Sequence, residues 1–340
     1  MLEFGSDFHV IDGFKKAFPI DDYYGNAVML ADGRQAIELL ICENKWSRIW
    51  LPEYFCYGVV ESIRKTGIEV CFYRDFPENN DKVTDWPKFA KGDVLLRMNY
   101  FGHRNFRDES AFPIPVIEDH SHSPFGPWAM QSNADWCIAS LRKTLPIAEG
   151  GILWSPKGYE VSAVIEHTTS NKELATMRWV AMDEKSYFLR GGAIEKESFR
   201  QKYVVTEEMF DQLPLSQIDD RSRRVLENID IRAWYNQKQR NWHQMSSVHF
   251  NGFEVLSPEQ GCESFSFVLL CDSKNARDRL RARLIEHRVY PAILWNVPSA
   301  ATPNVKEFSE RMLSIHCDAR YSYEDIEQLK DIIHQSLRYD

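Results

Sequence analysis

The first half of the chain alternates short apolar runs with segments of helical periodicity, and this alternation limits the fold more than any other feature. Residues 34–44 and 58–67 carry apolar side chains at helical spacing. The predicted strands lie at 48–54, 68–76, 93–102, 115–119, 134–141 and 150–155. Strands that alternate with helices are typical of βαβ units and a mainly parallel sheet. Ligands of such sheets bind at the carboxyl ends of the strands, where Asp119 and Ser140 stand.

The second half is less regular. Residues 156–220 are polar and mixed, with a loop at 189–198, and residues 221–245 read as one long charged helix. The later elements predicted are a strand at 263–272, a helix at 275–287, a strand at 289–295 and a helix at 322–337. Because a long helix often links a large domain to a small one, we predict a large domain at 1–225 and a smaller C-terminal α/β domain at 226–340.

Charge and cysteine content exclude several classes of function. The chain has 340 residues and a formal net charge of -9 without a basic block, so binding to nucleic acid or to an anionic membrane surface is disfavoured. No apolar stretch approaches the roughly 18 residues of a membrane span, and charges precede any apolar run at the N-terminus, unlike a signal peptide. Seven scattered cysteines without a CxxC pair favour a reducing compartment, so a cytoplasmic protein is expected.

Four short motifs contain the candidate functional residues: ADGRQA (31–36), VIEDHSH (116–122), SLRK (140–143) and EGG (149–151). Each has an ordinary structural interpretation, since DGRQ can begin a helix, Asp119 can cap one and Lys143 can be a loop lysine. Together they meet the requirements of pyridoxal phosphate. This cofactor needs a lysine amine for a Schiff base, a carboxylate against its pyridine nitrogen, and a helix N-terminus with hydroxyls for its phosphate.

The segments around these motifs resemble the DegT/DnrJ/StrS family of pyridoxal-phosphate enzymes, which are mostly sugar-nucleotide aminotransferases. VIEDHSHSPFG resembles the family's Glu-Asp-x-x-His-x-x-Gly motif, and SLRKTLPIAEGGIL resembles its lysine loop. GRQAIELLI, LLRMNYFG and HCDARYSYEDIEQL are supporting similarities. The resemblance implies the α/β fold of type I pyridoxal-phosphate-dependent transferases. That fold has a large domain with a mainly parallel, seven-stranded type of sheet flanked by helices, and a smaller C-terminal α/β domain.

Transferred position by position, the resemblance makes Lys143 the Schiff-base lysine and Asp119 the partner of the pyridine nitrogen. It places His122 near the cofactor's ring oxygen. The backbone of Gly33 and Arg34 and the hydroxyl of Ser140 would bind the phosphate.

The sequence departs from the family pattern in four places. The lysine loop has two residues fewer between Ser140 and Lys143 than is usual, although a shorter loop also occurs. The ring-stacking aromatic falls on Cys56, which leaves Phe55 and Tyr57 as alternatives for that role. His120 and Ser121 replace small apolar residues, which predicts a more polar pocket. In addition, Arg34 replaces a small hydroxyl residue of many members, so a guanidinium as well as amides would meet the phosphate.

The implied function is an aminotransferase that moves an amino group from glutamate to a keto sugar nucleotide, in amino-sugar or surface polysaccharide biosynthesis. A lysine at position 143 argues against the dehydratase variant of the family, which has histidine there. The resemblance also implies a homodimer with each site completed by the neighbour. Two alternatives stay open: another type I enzyme, such as an amino-acid lyase, and a non-catalytic sugar-binding member of the fold. A nicotinamide enzyme is disfavoured because DGRQA lacks the G-x-G-x-x-G pattern.

Overall fold

The computed structural model describes residues 2–11, 13, 18–78, 86–247, 249 and 251–337. Its strands are β1 (Phe4–Gly5), β2 (Val28–Leu30), β3 (Arg48–Pro52), β4 (Glu69–Tyr73), β5 (Asp93–Met98), β6 (Val116–Asp119), β7 (Trp136–Ser140), β8 (Gly151–Trp154), β9 (Phe253–Val255), β10 (Phe267–Cys271), β11 (Val289–Tyr290) and β12 (Met312–Ile315). Its α-helices are α1 (Gly33–Asn44), α2 (Tyr57–Lys65), α3 (Pro127–Gln131), α4 (Thr169–Leu189), α5 (Lys196–Phe210), α6 (Asp220–Asn228), α7 (Ile231–Ser246), α8 (Lys274–Glu286), α9 (Pro303–Arg311) and α10 (Tyr323–Leu337).

The central sheet has seven strands in the order β2-β8-β7-β6-β5-β3-β4. From β7 through β4 every neighbouring pair is parallel, whereas β8 runs antiparallel to both of its neighbours. Strands β5, β6 and β7 are buried along their whole length, as strands covered on both faces must be. The predicted α/β class with a mainly parallel sheet is confirmed.

Local capping explains where the first helices begin and end. Helix α1 starts after Asp32, whose carboxylate accepts a hydrogen bond of 2.6 Å from the Gly33 amide. Helix α2 is followed by Gly67, which has a φ of 84° and so takes the left-handed conformation predicted for a residue after a helix end. The last helix starts with a capping box, in which Ser322 and Asp325 exchange hydrogen bonds of 2.8 and 3.2 Å.

The region that the sequence left unassigned contains two helices. α4 and α5 lie in it, joined by residues 190–195, which belong to the predicted loop. The prediction of one helix at 221–245 is wrong. The chain leaves helical conformation at Ile229, where ψ is 139°, and Asp230 starts α7 by accepting a hydrogen bond of 2.8 Å from the Ala233 amide.

A second, antiparallel sheet with the order β12-β10-β9 lies in the C-terminal part. The predicted strand at 289–295 is confirmed only for its first two residues, which form β11 and pair in parallel with β1, near the N-terminus. This pairing attaches the start of the chain to its last third. The domain boundary near residue 225 stays a prediction.

The two parts also share a hydrophobic cluster. Ile49 and Val94 of the large sheet belong to the same buried cluster as Val268 of β10 and Phe308 of α9. The rings of Tyr54 and Phe308 lie 5.0 Å apart, nearly perpendicular. This packing holds the segment after β11 against the carboxyl ends of the parallel strands. Along the described residues, none of the helices combines the length and apolar character needed to cross a membrane.

Candidate active site

A cavity of about 680 Å³ lies where strands β6 and β7 end, beside the start of α1. Seven of the eight predicted site residues line it: Gly33, Arg34, Cys56, Asp119, His122, Ser140 and Lys143. The eighth, Phe55, is not among the lining residues. Its ring is buried and packs 6.3 Å from the ring of Trp295, which itself lines the cavity. Of the candidates for the stacking position, the structure therefore brings Cys56 to the cavity and places Phe55 behind its wall.

Lys143 ends a short 3-10 turn, Leu141–Lys143, that follows β7. The turn is fixed by a hydrogen bond of 2.8 Å from the Leu141 amide to the carbonyl of Gly150. The Lys143 amine lies 5.9 Å from the centre of the Trp295 ring. Among the described residues, no carboxylate forms an ion pair with this amine. It is therefore available to a carbonyl compound in the cavity.

Asp119 is the last residue of β6, and its neighbours hold it on both sides. Its backbone carbonyl accepts from the Asn99 amide at 3.0 Å, and its carboxylate accepts from the Ser121 amide at 2.8 Å. The side chain lines the cavity, although the residue is only 6% exposed. This arrangement points a fixed carboxylate at whatever occupies the cavity.

His120 lies outside the cavity, which corrects part of the expectation of a more polar pocket. Its Nε2 lies 2.8 Å from a carboxylate oxygen of Glu118, whose other oxygen accepts from the Trp128 indole at 2.8 Å. The Glu118 carboxylate and the His120 imidazole are both buried, and neither residue lines the cavity. Ser121 does line the cavity, and its hydroxyl accepts from the Ser140 amide at 2.9 Å.

His122 is buried among three aromatic rings, those of Phe101, Phe265 and Trp295. The ring of Phe265 lies 4.5 Å away and that of Trp295 lies 5.4 Å away, both stacked on the imidazole. Burial, and then the positive charge of Lys143, place the pKa of His122 well below its ordinary value of 6.5. The imidazole is therefore neutral under ordinary conditions.

The start of α1 and the end of β7 meet closely at the other side of the cavity. A Cβ added to Gly33 would lie 2.9 Å from the Cβ of Ser140, so only glycine permits this approach. The Asp32 carboxylate lies at the same place. Its Oδ1 is 3.4 Å from the Ser140 hydroxyl, and its Oδ2 is 2.8 Å from the Nε of Arg34. Arg34 also forms an ion pair with Asp211.

The cavity wall that α4 and α5 form was not predicted from the sequence. Arg178 of α4 and Glu207 of α5 line the cavity together with Arg142, which directly precedes Lys143. Arg142 donates two hydrogen bonds of 3.1 and 2.8 Å to the Glu207 carboxylate, and Arg178 reaches the same group at 3.3 Å. Burial alone would raise the pKa of Glu207, but Arg142 and Arg178 lower it to about 2. The wall is thus a charged network that stays ionised.

Trp295 and His316 also line the cavity and come from the C-terminal part. They were not predicted, because 289–295 read as a strand and no local pattern separates one aromatic residue of a buried run from another. The tertiary packing after β11 is what brings Trp295 to Lys143.

The residues present fit pyridoxal phosphate. Within the described part of the chain the Lys143 amine has no carboxylate partner, the Asp119 carboxylate is fixed, and the Ser140 hydroxyl lies beside the amides that begin α1. These groups surround one cavity large enough for a cofactor and part of a substrate. The Asp32 carboxylate at the phosphate end is the one feature that such a cofactor would not require.

Comparison with known proteins extends this description. No protein-family model matches the sequence, and neither does any curated protein. Solved aminotransferases, however, share the architecture. A protein of Streptococcus pneumoniae described as a sugar aminotransferase, solved in its PMP form, matches with a TM-score of 0.65 and 12% identity over 99% of both chains.

A DegT DnrJ EryC1 StrS aminotransferase of Brucella abortus matches with a TM-score of 0.59 and 13% identity, covering 93% of this chain and 87% of that one. DesI, solved in the presence of its TDP-sugar product, matches with a TM-score of 0.59 and 14% identity, covering 94% and 83%. This chain has the fold of these aminotransferases. The likeness confirms the predicted type I fold, and at this level of identity it establishes the fold alone.

Proposed function

We propose that the protein is a pyridoxal-phosphate-dependent aminotransferase of the DegT/DnrJ/StrS type. We propose further that it transfers an amino group from glutamate to a keto sugar nucleotide. The observation that carries the proposal is the placement of Lys143 and Asp119 on one cavity at the carboxyl ends of β6 and β7. These are the two groups that the cofactor's chemistry cannot do without.

Pyridoxal phosphate, when bound, supplies an electron sink for the carbon that loses a proton. Asp119 would hold the proton on the pyridine nitrogen, because a fixed carboxylate favours the protonated ring. Lys143 would hold the cofactor in the resting enzyme. Once the amino donor has displaced it, its Nζ would carry a proton between the donor's α-carbon and the cofactor's C4′ carbon, as base and then as acid.

The other predicted residues position and shield this chemistry. Ser140 and the amides of Gly33 and Arg34 would bind the phosphate, since a helix N-terminus with free amides favours an anion. His122, held neutral, would orient the ring through a hydrogen bond rather than through charge. The Trp295 ring lies 5.9 Å from the Lys143 amine on the side of the C-terminal part, where it would limit the access of water.

The proposed acceptor rests on two supports. DesI, which shares the fold, was solved with a TDP-sugar product. The cavity is also lined by Arg142 and Arg178, whose guanidinium groups share the Glu207 carboxylate, with Asp7 as a second partner of Arg178. Guanidinium groups bind phosphates through paired N–H donors, so the diphosphate of a nucleotide sugar is a chemically suitable ligand of this wall.

The assembly and location of the protein are part of the proposal. We expect a homodimer in the cytoplasm that acts in amino-sugar or surface polysaccharide biosynthesis. All seven cysteines are free thiols, which supports a reducing compartment. Light scattering coupled to size-exclusion chromatography measures the oligomeric state, and a monomeric mass at working concentration would contradict the dimer.

The absorbance spectrum of the purified protein with added pyridoxal phosphate tests the central claim. Wild type and the matched control Lys172→Ala, which changes an exposed lysine of α4, should show the band of lysine-bound cofactor near the visible edge. Lys143→Ala should lack it. Addition of glutamate should replace the band by that of the amine form, and a keto sugar nucleotide should restore it.

Each other outcome has a defined meaning. A lysine-dependent band that glutamate leaves unchanged, with product released from an amino acid without a keto acceptor, would favour a lyase of the same fold. The absence of any band in wild type would overturn the cofactor assignment and leave a non-catalytic binding protein as the better account.

A further inference from the structure

The three residues predicted to bind the cofactor's phosphate all lie against one carboxylate of the protein, that of Asp32. The Gly33 amide donates to Asp32 Oδ1 at 2.6 Å, and the Ser140 hydroxyl lies 3.4 Å from the same oxygen. The Arg34 Nε lies 2.8 Å from Asp32 Oδ2. A carboxylate therefore already accepts from the Gly33 amide and the Ser140 hydroxyl and lies beside the Arg34 guanidinium, the donors that a phosphate would use.

The buried position of the Asp32 carboxylate costs folding free energy. Its side chain is 4% exposed, and Oδ2 has no hydrogen-bond donor aligned on it, despite the nearby Arg34. The Nε of Arg34 is likewise buried without an aligned acceptor. Buried polar atoms that lack aligned partners are expensive, so this end of the cavity is not at its electrostatic optimum. A phosphate offers more acceptor oxygens than the carboxylate and could satisfy these donors together.

A phosphate and the Asp32 carboxylate cannot both use these donors, because the two anions repel at contact distance. Arg34 forms an ion pair with Asp32, and Arg142, which also lies in the field of the Asp32 charge, is already bound to Glu207. Arg34 in turn has Asp211 as a second partner. The cluster is thus close to charge balance before any ligand binds.

We infer that Asp32 is a built-in competitor for the cofactor's phosphate and that it sets the affinity of this site for phosphate-bearing ligands. The inference rests on the proposed function for the identity of the cofactor. The competition itself concerns only the anion site formed by Gly33, Arg34 and Ser140. A phosphate binds there by replacing the Asp32 carboxylate at these donors, so part of its binding free energy is spent on that exchange.

The test compares Asp32→Asn with wild type. Asparagine is also a good helix N-cap, so α1 should keep its start, and circular dichroism with thermal unfolding checks this. Asp211→Asn is the matched control, because it removes a carboxylate from Arg34 without touching the Gly33 amide or Ser140. Asp32→Ser, another N-cap residue, is the second variant should Asp32→Asn be unstable.

Calorimetric titration with three ligands separates the contributions: inorganic phosphate, pyridoxal phosphate, and pyridoxal, which has the ring and aldehyde without the phosphate. We expect Asp32→Asn to bind inorganic phosphate and pyridoxal phosphate about tenfold more tightly than wild type, the size of one charge-assisted hydrogen bond regained. Affinity for pyridoxal should be unchanged, and Asp211→Asn should resemble wild type.

The outcomes distinguish this inference from the proposed function. Equal or weaker phosphate binding by Asp32→Asn and Asp32→Ser would overturn the inference, whatever the absorbance spectrum shows. An equal gain for pyridoxal would overturn it as well, because the effect would then not lie at the phosphate. Tighter phosphate binding without a lysine-dependent band in any variant would support the inference and contradict the cofactor assignment.

Discussion

The backbone amide of Phe101 donates a hydrogen bond of 3.0 Å to the Nδ1 atom of His122. Nδ1 is therefore an acceptor, and the single proton of the neutral ring lies on Nε2. This bond and the flanking rings of Phe265 and Trp295 fix one tautomer in one orientation. The imidazole can donate a hydrogen bond from Nε2 to a neighbouring oxygen. The proposed place of His122 beside the cofactor's ring oxygen requires such a donor.

His122 should accordingly stay neutral through the physiological pH range. Burial and the charge of Lys143 place its pKa well below 6.5, so the unfolded chain takes up this proton before the folded protein does. The free energy of unfolding therefore decreases as the pH falls below about 6.5. NMR titration of the imidazole measures this directly. A midpoint near 6.5 for His122 would contradict it.

Asp119→Asn should lower transamination by about 10²- to 10³-fold, the usual effect of removing one preorganised charged group from an active site. Asparagine keeps an oxygen that can accept from the Ser121 amide, so the loop after β6 should hold its shape. The band of lysine-bound cofactor should persist while its conversion by glutamate slows. Single-turnover absorbance kinetics measure the effect, and an unchanged rate would remove Asp119 from its proposed role.

Glu149→Gln should stabilise the protein increasingly as the pH rises. Burial, and then the negative charge of Asp219, raise the pKa of Glu149 from about 4.5 to about 9. The folded state thus holds a proton that the unfolded chain releases, and wild type loses stability as the pH rises from about 4.5 to about 9. Glutamine keeps an oxygen that can accept the 2.7 Å hydrogen bond from the Asp219 amide.

Urea unfolding at several pH values measures this difference, with Glu160→Gln at an exposed site as the control. The advantage of Glu149→Gln over wild type should be small near pH 4.5 and grow toward pH 9. A constant difference across this range would show that Glu149 is ionised in the folded protein.

Glu207→Gln should destabilise the cavity wall, because it leaves Arg142 and Arg178 with less negative charge. Fully buried pairs cost roughly 3–5 kcal/mol when one partner is removed. The Glu207 side chain is 51% exposed, so we expect about 1–2 kcal/mol after allowing for solvent screening. Thermal unfolding measures the loss, with the neighbouring exposed Glu208→Gln as the control.

The pH dependence of this variant gives a second readout. The pKa of Glu207 is lowered to about 2, so its contribution is complete above about 4.5 and is lost as the pH falls toward 2. Glu207→Gln should therefore show a weaker loss of stability in acid than wild type. Parallel acid profiles would indicate that the Glu207 carboxylate does not stabilise the wall.

Sequence patterns predicted the structural features that depend on residues close together in the chain. The start of α1 at Asp32 and Gly33, the end of β6 at Asp119 and the turn at Lys143 follow from strand length, apolar alternation and capping chemistry. Seven predicted residues meet at one cavity because parallel strands present their carboxyl ends at one edge.

The contacts that were not predicted depend on packing between residues far apart in the chain. Trp295 meets Lys143 only because the segment after β11 packs on the large sheet, and no local pattern encodes that contact. The break between α6 and α7 had a local signal in Asp230, an N-cap residue, but the charged periodicity on both sides of it resembled a single helix. Phe55 was a candidate for the stacking position, but its ring packs in the hydrophobic core and not at the cavity.

The distance along the chain between the parts of the cavity has a consequence for biosynthesis. A ribosome makes Asp32, Asp119 and Lys143 within the first half of the chain, whereas Trp295 and His316 emerge near its end. The strand β1 likewise waits for β11 before it can pair. A nascent chain that has folded its large sheet therefore presents the Lys143 amine without its cover. The cavity around Lys143 is therefore completed only after Trp295 and His316 have left the exit tunnel.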